Sequence, residues 1–296
     1  MGGRADAGVI GVGELLWDLF PDGPRLGGAP FNVTANLRRL GHRAAFVSAV
    51  GDDALGRAAL AAADDLGVDA TFISTAPDLP TGTVEVTPDT VEGHRFVIGS
   101  PAAYESIGDG DALIARIRAW GPDALAYGTL AQRFEGVRAL TRRIAVEIRP
   151  THRLYDVNLR DGTWTPTLVL DLLGDATIVK VNADEAEILA GLLGTAADAR
   201  SLGTRLAARS GIGVLCITRG ADGASLWVRG DARSVGGIHI DVVDTVGAGD
   251  AFAAALLHGL LTGRPPAETL DLANRLAALV ASRPGALPPW ELAELG

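Results

Sequence analysis

The sequence predicts a doubly wound α/β fold, in which helices cover both faces of a largely parallel sheet and a small β-sheet lid is attached. Short apolar runs alternate with longer stretches of helical periodicity along nearly the whole chain of 296 residues. That alternation is typical of buried parallel strands joined by helices. The segment 83–98 departs from it, because apolar and polar residues there alternate singly, as in a half-exposed antiparallel hairpin.

The elements of the main sheet follow from these runs in chain order. Continuous apolar runs predict the strands, and the helical stretches 30–40 and 54–66 each end at a glycine, Gly41 and Gly67, the usual residue just past a helix. The predicted order is strand 9–12, helix 30–40, strand 44–50, helix 54–66, strand 124–127, helix 135–148, strands 154–157 and 178–181, helix 183–193, strand 213–218, a hairpin of 224–228 with 232–236, and helices at about 248–261 and 268–281.

The lid is predicted from two separate segments. The alternating stretches 83–87 and 94–98 flank the turn-rich residues 88–93, and the stretch 14–20 has a composition that suits pairing with them. We expect a lid built from segments of about 13–28 and 80–104, inserted in a single α/β domain that spans 1–296. A lid with one hydrophobic face suits pairing with a second lid, so a homodimer through the lid is a further hypothesis.

Composition excludes several classes of function. The chain carries 26 basic and 36 acidic residues, and this negative charge argues against a nucleic-acid partner. The longest apolar run, 251–261, contains His258 and is too short to cross a membrane. Nothing in the first residues resembles an export signal, so a cytoplasmic location is expected. The lone cysteine, Cys216, excludes disulfides within the chain and cysteine zinc clusters.

Two common phosphate-binding motifs are also absent. Lys180 is the only lysine and does not follow a glycine, so there is no Walker A loop; we interpret it as a strand-end lysine. Gly11 and Gly13 follow a strand, but Leu16 stands where a dinucleotide fingerprint needs its third glycine.

The segment Val243-Asp-Thr-Val-Gly-Ala-Gly-Asp250 runs into an Ala/Leu-rich helix. The small residues at 247–249 allow backbone N–H groups to approach a ligand, and the positive end of the helix adds to them. Together they predict an anion site suited to phosphate oxygens, with Asp250 in the first helical turn beside it. The structural alternative is that Asp250 only caps the helix.

Two further segments carry polar groups at helix starts. Gly27-Gly-Ala-Pro-Phe-Asn32 allows close backbone approach, and the amide of Asn32 suits sugar hydroxyls, although a plain glycine loop before a helix has the same pattern. Asn182-Ala-Asp-Glu185 matches a capping box. In the functional alternative, Glu185 and Asn182 hold a hydrated Mg²⁺ near ATP phosphates, and both interpretations can be true together.

The ordered set of motifs resembles the pfkB, or ribokinase-like, family of carbohydrate kinases. Gly27-Gly-Ala-Pro-Phe-Asn32 with Gly41 is similar to the amino-terminal signature of that family, and Asp244-Thr-Val-Gly-Ala-Gly-Asp250 is similar to the carboxy-terminal one. The segments 50–56, 66–69, 180–185 and 218–223 also stand in family order and spacing. The resemblance extends from about residue 9 to 288.

The resemblance implies roles for the matching residues. Asp250 is the base that takes a proton from the sugar hydroxyl, and the backbone at Gly247, Ala248 and Gly249 is the anion hole for the γ-phosphoryl group. Asp18, Gly28 and Asn32 match sugar-binding positions, and Asn182 and Glu185 match the magnesium and phosphate motif. Thr218, Gly220, Gly223 and Asn274 fall in the nucleotide-binding region. Asp244 matches a position that binds a monovalent cation such as K⁺. ATP and Mg²⁺ are the implied cofactors.

Within the family, several segments resemble fructokinases, among them 13–21, 100–104, 127–133 and 156–160. Arg160 in the last segment is expected at the substrate-binding site, where it either clamps a phosphate or simply pairs with a neighbouring carboxylate. Phe31 and Thr34 depart from the subgroup, and we expect Phe31 to narrow the sugar pocket. The resemblance therefore implies an ATP-dependent sugar kinase for D-fructose. The alternatives are a kinase for ribose, 2-keto-3-deoxygluconate or a nucleoside, and, more distantly, a non-catalytic sensor.

Overall fold

The computed structural model describes residues 6–89, 93–108 and 110–296. Within these ranges the strands are β1 (Gly8–Val12), β2 (Leu16–Phe20), β3 (Gly23–Gly27), β4 (Arg43–Gly51), β5 (Ile73–Ala76), β6 (Gly82–Asp89), β7 (Gly93–Ile98), β8 (Ala124–Tyr127), β9 (His152–Asp156), β10 (Ile178–Asn182), β11 (Val214–Thr218), β12 (Ala224–Val228) and β13 (Asp231–Val235). The α-helices are α1 (Ala29–Arg39), α2 (Ala54–Asp65), α3 (Asp111–Trp120), α4 (Glu135–Arg143), α5 (Pro166–Leu172), α6 (Ala183–Leu193), α7 (Ala199–Ser210), α8 (Ala248–Thr262) and α9 (Pro266–Ala281).

The main sheet has the strand order β13-β12-β11-β10-β9-β8-β1-β4-β5. All neighbouring pairs from β11 to β5 are parallel, and β12 and β13 continue the sheet as an antiparallel hairpin. Because these parallel strands run in one direction, the residues that follow β1, β9, β10 and β11 meet at one edge of the sheet. The predicted fold class is confirmed.

The two larger hydrophobic cores lie on opposite faces of the sheet. Val9 and Ile10 are neighbours in β1 and are both fully buried, yet they belong to different cores, since successive residues of a strand point to opposite faces. On one face α1, α8 and α9 supply the apolar side chains; on the other, α3 to α7 supply them. Among the described residues, no helix is both long enough and apolar enough to cross a bilayer.

The lid is a second sheet with the strand order β3-β2-β6-β7. The stretch 14–20 pairs with the hairpin as expected, because β2 lies parallel to β6 with Leu16 opposite Gly82. β3 lies antiparallel to β2, with Arg25 opposite Asp18. Part of the predicted turn 88–93, residues 90–92, lies outside the described residues. Pairing of two lids in a homodimer stays a prediction.

Some elements were missed or misplaced by the sequence pattern. The strands β3 and β5 and the helices α3, α5 and α7 were not predicted. The helix predicted at 135–148 is α-helical only as far as Arg143. The next turn is wider, with the N–H of Arg149 donating to the carbonyl of Ile144 over 3.1 Å, and it ends because Arg149 adopts a left-handed conformation before Pro150.

Candidate active site

The predicted anion site lies at the N-terminus of α8. Gly247 caps the helix with φ of 79°, a conformation that glycine adopts without strain, and a Cβ there would stand 2.4 Å from the carbonyl oxygen of Ala286. The N–H of Ala248 donates to Thr245 over 3.3 Å. The backbone N–H groups of Gly249 and Asp250 belong to the first helical turn, where N–H groups have no acceptor within the helix. They can therefore donate to an anion.

Asp250 stands in this first turn and is 9% exposed. Its Oδ2 accepts a hydrogen bond of 2.8 Å from Nδ2 of Asn32, which is 3% exposed on α1. Burial raises the pKa of Asp250, while the hydrogen bond from Asn32 and the charges of Lys180 and Arg160 lower it. The structure thus brings together two predicted residues that are 218 positions apart.

Asp18 lies on the lid strand β2 and covers Gly27, where a Cβ would stand 2.4 Å from Asp18 Oδ2. Burial and the nearby carboxylates of Asp250 and Asp244 raise the pKa of Asp18 to about 6, and Arg160 lowers it. These mutual influences place Asp18 in the same electrostatic environment as Asp250. Gly28 has φ of 113°, and a Cβ there would stand 2.2 Å from the carbonyl oxygen of Glu14, so the close approach requires glycine.

Sequence reasoning missed Glu14, which follows β1 at this same edge. It is 4% exposed, and its Oε2 has no hydrogen-bond partner in the part of the chain that the structure describes. Burial raises the pKa of Glu14 to about 7, with a further contribution from Asp250. The sequence signal that could have identified Glu14 is the position of an acidic residue immediately before the apolar run of β2.

Arg160 is exposed on the loop after β9. Its positive charge lowers the pKa of the carboxyls of Glu14, Asp18 and Asp250. The loop is fixed by the N–H of Leu159, which donates to Glu185 Oε1 over 2.8 Å. Its role toward the substrate stays a prediction.

Asn182 and Glu185 form the predicted capping box at the start of α6. Asn182 Oδ1 accepts from the N–H of Glu185 over 2.8 Å, and Glu185 Oε2 accepts from the N–H of Asn182 over 2.9 Å. With Leu159 on Oε1, both carboxylate oxygens of Glu185 already accept backbone hydrogen bonds. Among the described residues no three His, Cys, Asp or Glu side chains cluster as metal ligands. The arrangement fits an Mg²⁺ ion that is carried by nucleotide phosphates and reached through water; the metal role stays a prediction.

Asp244 connects three parts of the structure. Its Oδ1 accepts from the N–H of Val246 over 3.0 Å, and its Oδ2 accepts from the N–H of Gly285 over 2.9 Å. The guanidinium of Arg25 on β3 lies 3.4 Å from Oδ2, so a lid strand contacts the anion loop here. The binding of a monovalent cation at Asp244 stays a prediction.

The four residues that are predicted to bind the nucleotide all lie in the wall of one cleft, which has a volume of about 290 Å³. Apolar side chains, among them Ile238, Val242 and Phe252, form much of its wall, and Ala248 and Gly249 close one end. The predicted residues in its lining are Thr218, Gly220, Gly223 and Asn274. A flat heterocycle in the apolar part of the cleft would have its phosphates directed toward the N-terminus of α8.

Phe31 does not line the candidate sugar pocket as expected. Its ring is fully buried and contacts Phe46 edge-on, with 5.2 Å between centroids, in a core that includes Leu15. Thr34, the other departure from the subgroup, donates to the carbonyl of Pro30 over 2.8 Å and is also fully buried. Both residues contribute to the packing of α1 against the sheet.

Lys180 and Asp156 form a buried ion pair that the sequence pattern did not predict. Lys180 lies in the interior of β10 rather than at its end, and its Nζ is 3.1 Å from Oδ1 of Asp156 on the adjacent strand β9. Their side chains are 7% and 6% exposed. A Cβ placed on Gly249 would stand 3.3 Å from Nζ of Lys180, so the ammonium lies directly behind the anion loop.

The sequence profile described as pfkB family carbohydrate kinase matches residues 24–293. Fructokinase from Escherichia coli is 31% identical over 93% of this chain and 94% of that protein. Aminoimidazole riboside kinase from Salmonella typhimurium is also 31% identical, over 93% of this chain and 89% of that protein. The solved structure of a double mutant of fructokinase from Vibrio cholerae O395, in a form with fructose, ADP and potassium ion bound, has a TM-score of 0.80 and 26% identity. It covers 99% of this chain and 98% of that one. The similarity therefore extends over nearly the full length of each protein.

Proposed function

Because the chain belongs to the pfkB family of carbohydrate kinases, we propose that this sugar kinase transfers the γ-phosphoryl group of ATP to D-fructose with Asp250 as the general base. The family resemblance predicted from the motifs is confirmed by the profile match over residues 24–293. The observation that carries the residue assignment is the position of Asp250, buried beside the N-terminus of α8 and hydrogen-bonded to Asn32. It belongs to the same first turn of α8 as Ala248 and Gly249, which line the cleft.

Phosphoryl transfer needs positioning and charge stabilisation more than covalent chemistry. Asp250 accepts the proton of the sugar hydroxyl, and Asn32 orients its carboxylate through the 2.8 Å hydrogen bond. The amides at the start of α8 donate to the oxygens of the transferring group, where the helix end favours negative charge. Mg²⁺ bound with the nucleotide supplies further neutralisation of phosphate charge. Closure of the lid over the sugar would exclude water as a competing acceptor.

Polar atoms that are buried around Glu14 without a partner support a substrate rich in hydroxyl groups. Glu14 Oε2, Tyr104 Oη and both amide atoms of Gln132 are buried without a hydrogen-bond partner among the described residues. The charge of Glu14 acts on Tyr104, and the N–H of Ala131, the residue before Gln132, acts on Glu14, so the three groups are close to one another. Buried polar atoms of this kind are costly unless a ligand satisfies them. A ketohexose carries enough hydroxyls to do so.

A second candidate is a riboside. The chain is as similar to aminoimidazole riboside kinase as to fructokinase from Escherichia coli, at 31% identity each. The two candidate substrates differ chemically, because fructose carries only hydroxyl and carbonyl groups whereas the riboside also carries a heterocycle.

An ADP-release assay over D-fructose, D-ribose, 2-keto-3-deoxygluconate and aminoimidazole riboside, with the Asp250→Asn variant as the control, tests this proposal. We expect the highest kcat/KM with D-fructose. A higher kcat/KM with the riboside would show that the riboside, and not fructose, is the preferred substrate. Full activity of Asp250→Asn would contradict the assignment of the base.

A further inference from the structure

The only lysine of the chain is buried at the centre of the candidate active site. Lys180 Nζ lies 3.1 Å from Asp156 Oδ1 and would stand 3.3 Å from a Cβ on Gly249. The carboxyls that act on it are Asp156 on β9, Glu185 on α6 and Asp250 on α8, and the neighbouring strand β11 places the thiol of Cys216 opposite it. The ammonium therefore faces carboxyl groups from three elements, β9, α6 and α8.

Lys180 is held in an ion pair in this environment. Its Nζ lies 3.1 Å from Asp156 Oδ1 and donates to Asp156 Oδ2 over 3.2 Å, and both side chains are buried. Burial raises the pKa of Cys216 to about 12, so that side chain stays neutral. Two apolar side chains would fill the space of the Lys180–Asp156 pair without the cost of desolvating two charges. The retained charge calls for a functional explanation.

We propose that Lys180 supplies a fixed positive charge behind Gly249 that stabilises the transferring phosphoryl group, and that Asp156 is a positioning residue that holds the ammonium there. This inference rests on the proposed function, in which Asp250 and the start of α8 carry the reaction. A charge fixed in a site that excludes water acts more strongly than the same charge in solution, and it needs no reorganisation during the reaction.

The same charge acts on the proposed base. Asn32, Lys180 and Arg160 face Asp250 and lower its pKa. The carboxyls of Glu14, Asp18 and Asp156 also face it, and Asp250 raises the pKa of each. Lys180 is the only buried cation in this set. Its removal should make Asp250 harder to ionise, so the pH profile of kcat reports on the charge as well as on the fold.

The test compares Lys180→Met with the double variant Asp156→Asn/Lys180→Met. The single variant leaves Asp156 buried and unpaired, which destabilises the fold, whereas the double variant removes both charges and should recover stability. We expect kcat to fall about 10²–10³-fold in both, the usual effect of removing one group that stabilises transition-state charge. We also expect the acidic limb of the kcat profile to move to higher pH in Lys180→Met, and to move less in the double variant, because that variant also loses the Asp156 carboxyl that acts on Asp250. Recovery of kcat in the double variant would show that Lys180 only neutralises Asp156, and would overturn the proposal.

A second measurement does not depend on turnover. Because the chain has one lysine, protein labelled with ¹³C-lysine gives a single side-chain Cε signal by NMR. We expect this signal to shift more when fructose, ADP, Mg²⁺ and aluminium fluoride are added than with fructose, ADP and Mg²⁺ alone, since the fluoride complex occupies the place of the phosphoryl group. Equal spectra would overturn the proposal. If Asp250→Asn were fully active, the proposed function itself would fail; if only Asp250→Asn were slow and Lys180→Met were normal, this inference alone would fail.

Discussion

Substitution of Glu14 by glutamine removes a buried carboxyl group and keeps its shape. Glu14 is 4% exposed at the end of β1, and burial raises its pKa from 4.5 to about 7. In the folded protein the group therefore keeps its proton up to about pH 7, whereas in the unfolded chain it loses the proton near pH 4.5. The parent protein loses stability as the pH rises between these values, and the full loss is present above pH 7.

The size of the loss follows from the difference of about 2.5 pKa units, which corresponds to about 3 kcal/mol. Glutamine has no titrating group at this position and avoids the loss. The free energy of unfolding of Glu14→Gln, relative to the parent, should therefore increase by about 2–3 kcal/mol between pH 5 and pH 8.5. Other buried acids also titrate, but they are present in both proteins and cancel in this difference.

Urea unfolding followed by circular dichroism at pH 5, 7 and 8.5 measures the effect. Glu187→Gln on the exposed side of α6 is the matched control, because it also replaces one glutamate by glutamine. A Glu14→Gln difference that is the same at pH 5 and pH 8.5 would refute the reasoning, because it would mean that Glu14 ionises in the folded state as easily as in the unfolded chain.

Substitutions at three further positions test the site. Asp250→Asn keeps an acceptor for the hydrogen bond from Asn32, so the variant should fold and bind sugar while kcat falls about 10²–10⁴-fold. Steady-state kinetics and a melting curve measure this. A change in KM and in stability, with kcat unchanged, would show that the role of Asp250 is mainly structural. Asp18→Ala should raise the sugar KM about 10²-fold or more and leave the ATP KM unchanged, because two charge-assisted hydrogen bonds are lost. In the parent, sugar KM should rise as the pH falls through about 6, where Asp18 takes up its proton; in Asp18→Asn it should stay flat, and a parallel rise there would assign the effect to another group. Glu185→Gln leaves one side-chain oxygen as acceptor for two backbone N–H groups, so the variant should lose about 1–3 kcal/mol of stability and loosen the loop that carries Arg160. Unfolding curves that match the parent would show that these two hydrogen bonds do not stabilise the loop.

The local pattern of apolar residues was sufficient to predict the elements that are buried along nearly their whole length. The strands β1, β4, β10 and β11 are almost wholly buried apolar runs, and the sequence predicts them directly. The helix α7 was missed because its twelve residues include three arginines and bury little beyond Leu202 and Leu206. The strand β5 was missed because it is a short edge strand with no fully buried residue.

For the candidate site, the motifs predicted which residues matter but not how they meet. The contact between Asn32 and Asp250 depends on how α1 packs against α8, which no local pattern encodes. Lys180 was interpreted as a strand-end lysine because Asp156, its partner, is 24 positions away and lies on another strand. Glu185 was predicted correctly as a cap, while its second bond, to Leu159, required the tertiary structure.

The burial of Lys180 also determines the chemistry of the protein's surface. Of the 26 basic residues, one is this lysine and the other 25 are arginines. Reagents that acylate or reductively alkylate amines thus meet no exposed side-chain amine, because the only one is 6% exposed and held in an ion pair. Guanidinium groups keep their protons far above the pH at which ammonium groups lose them. The positive charges of the surface would therefore persist in alkaline solution.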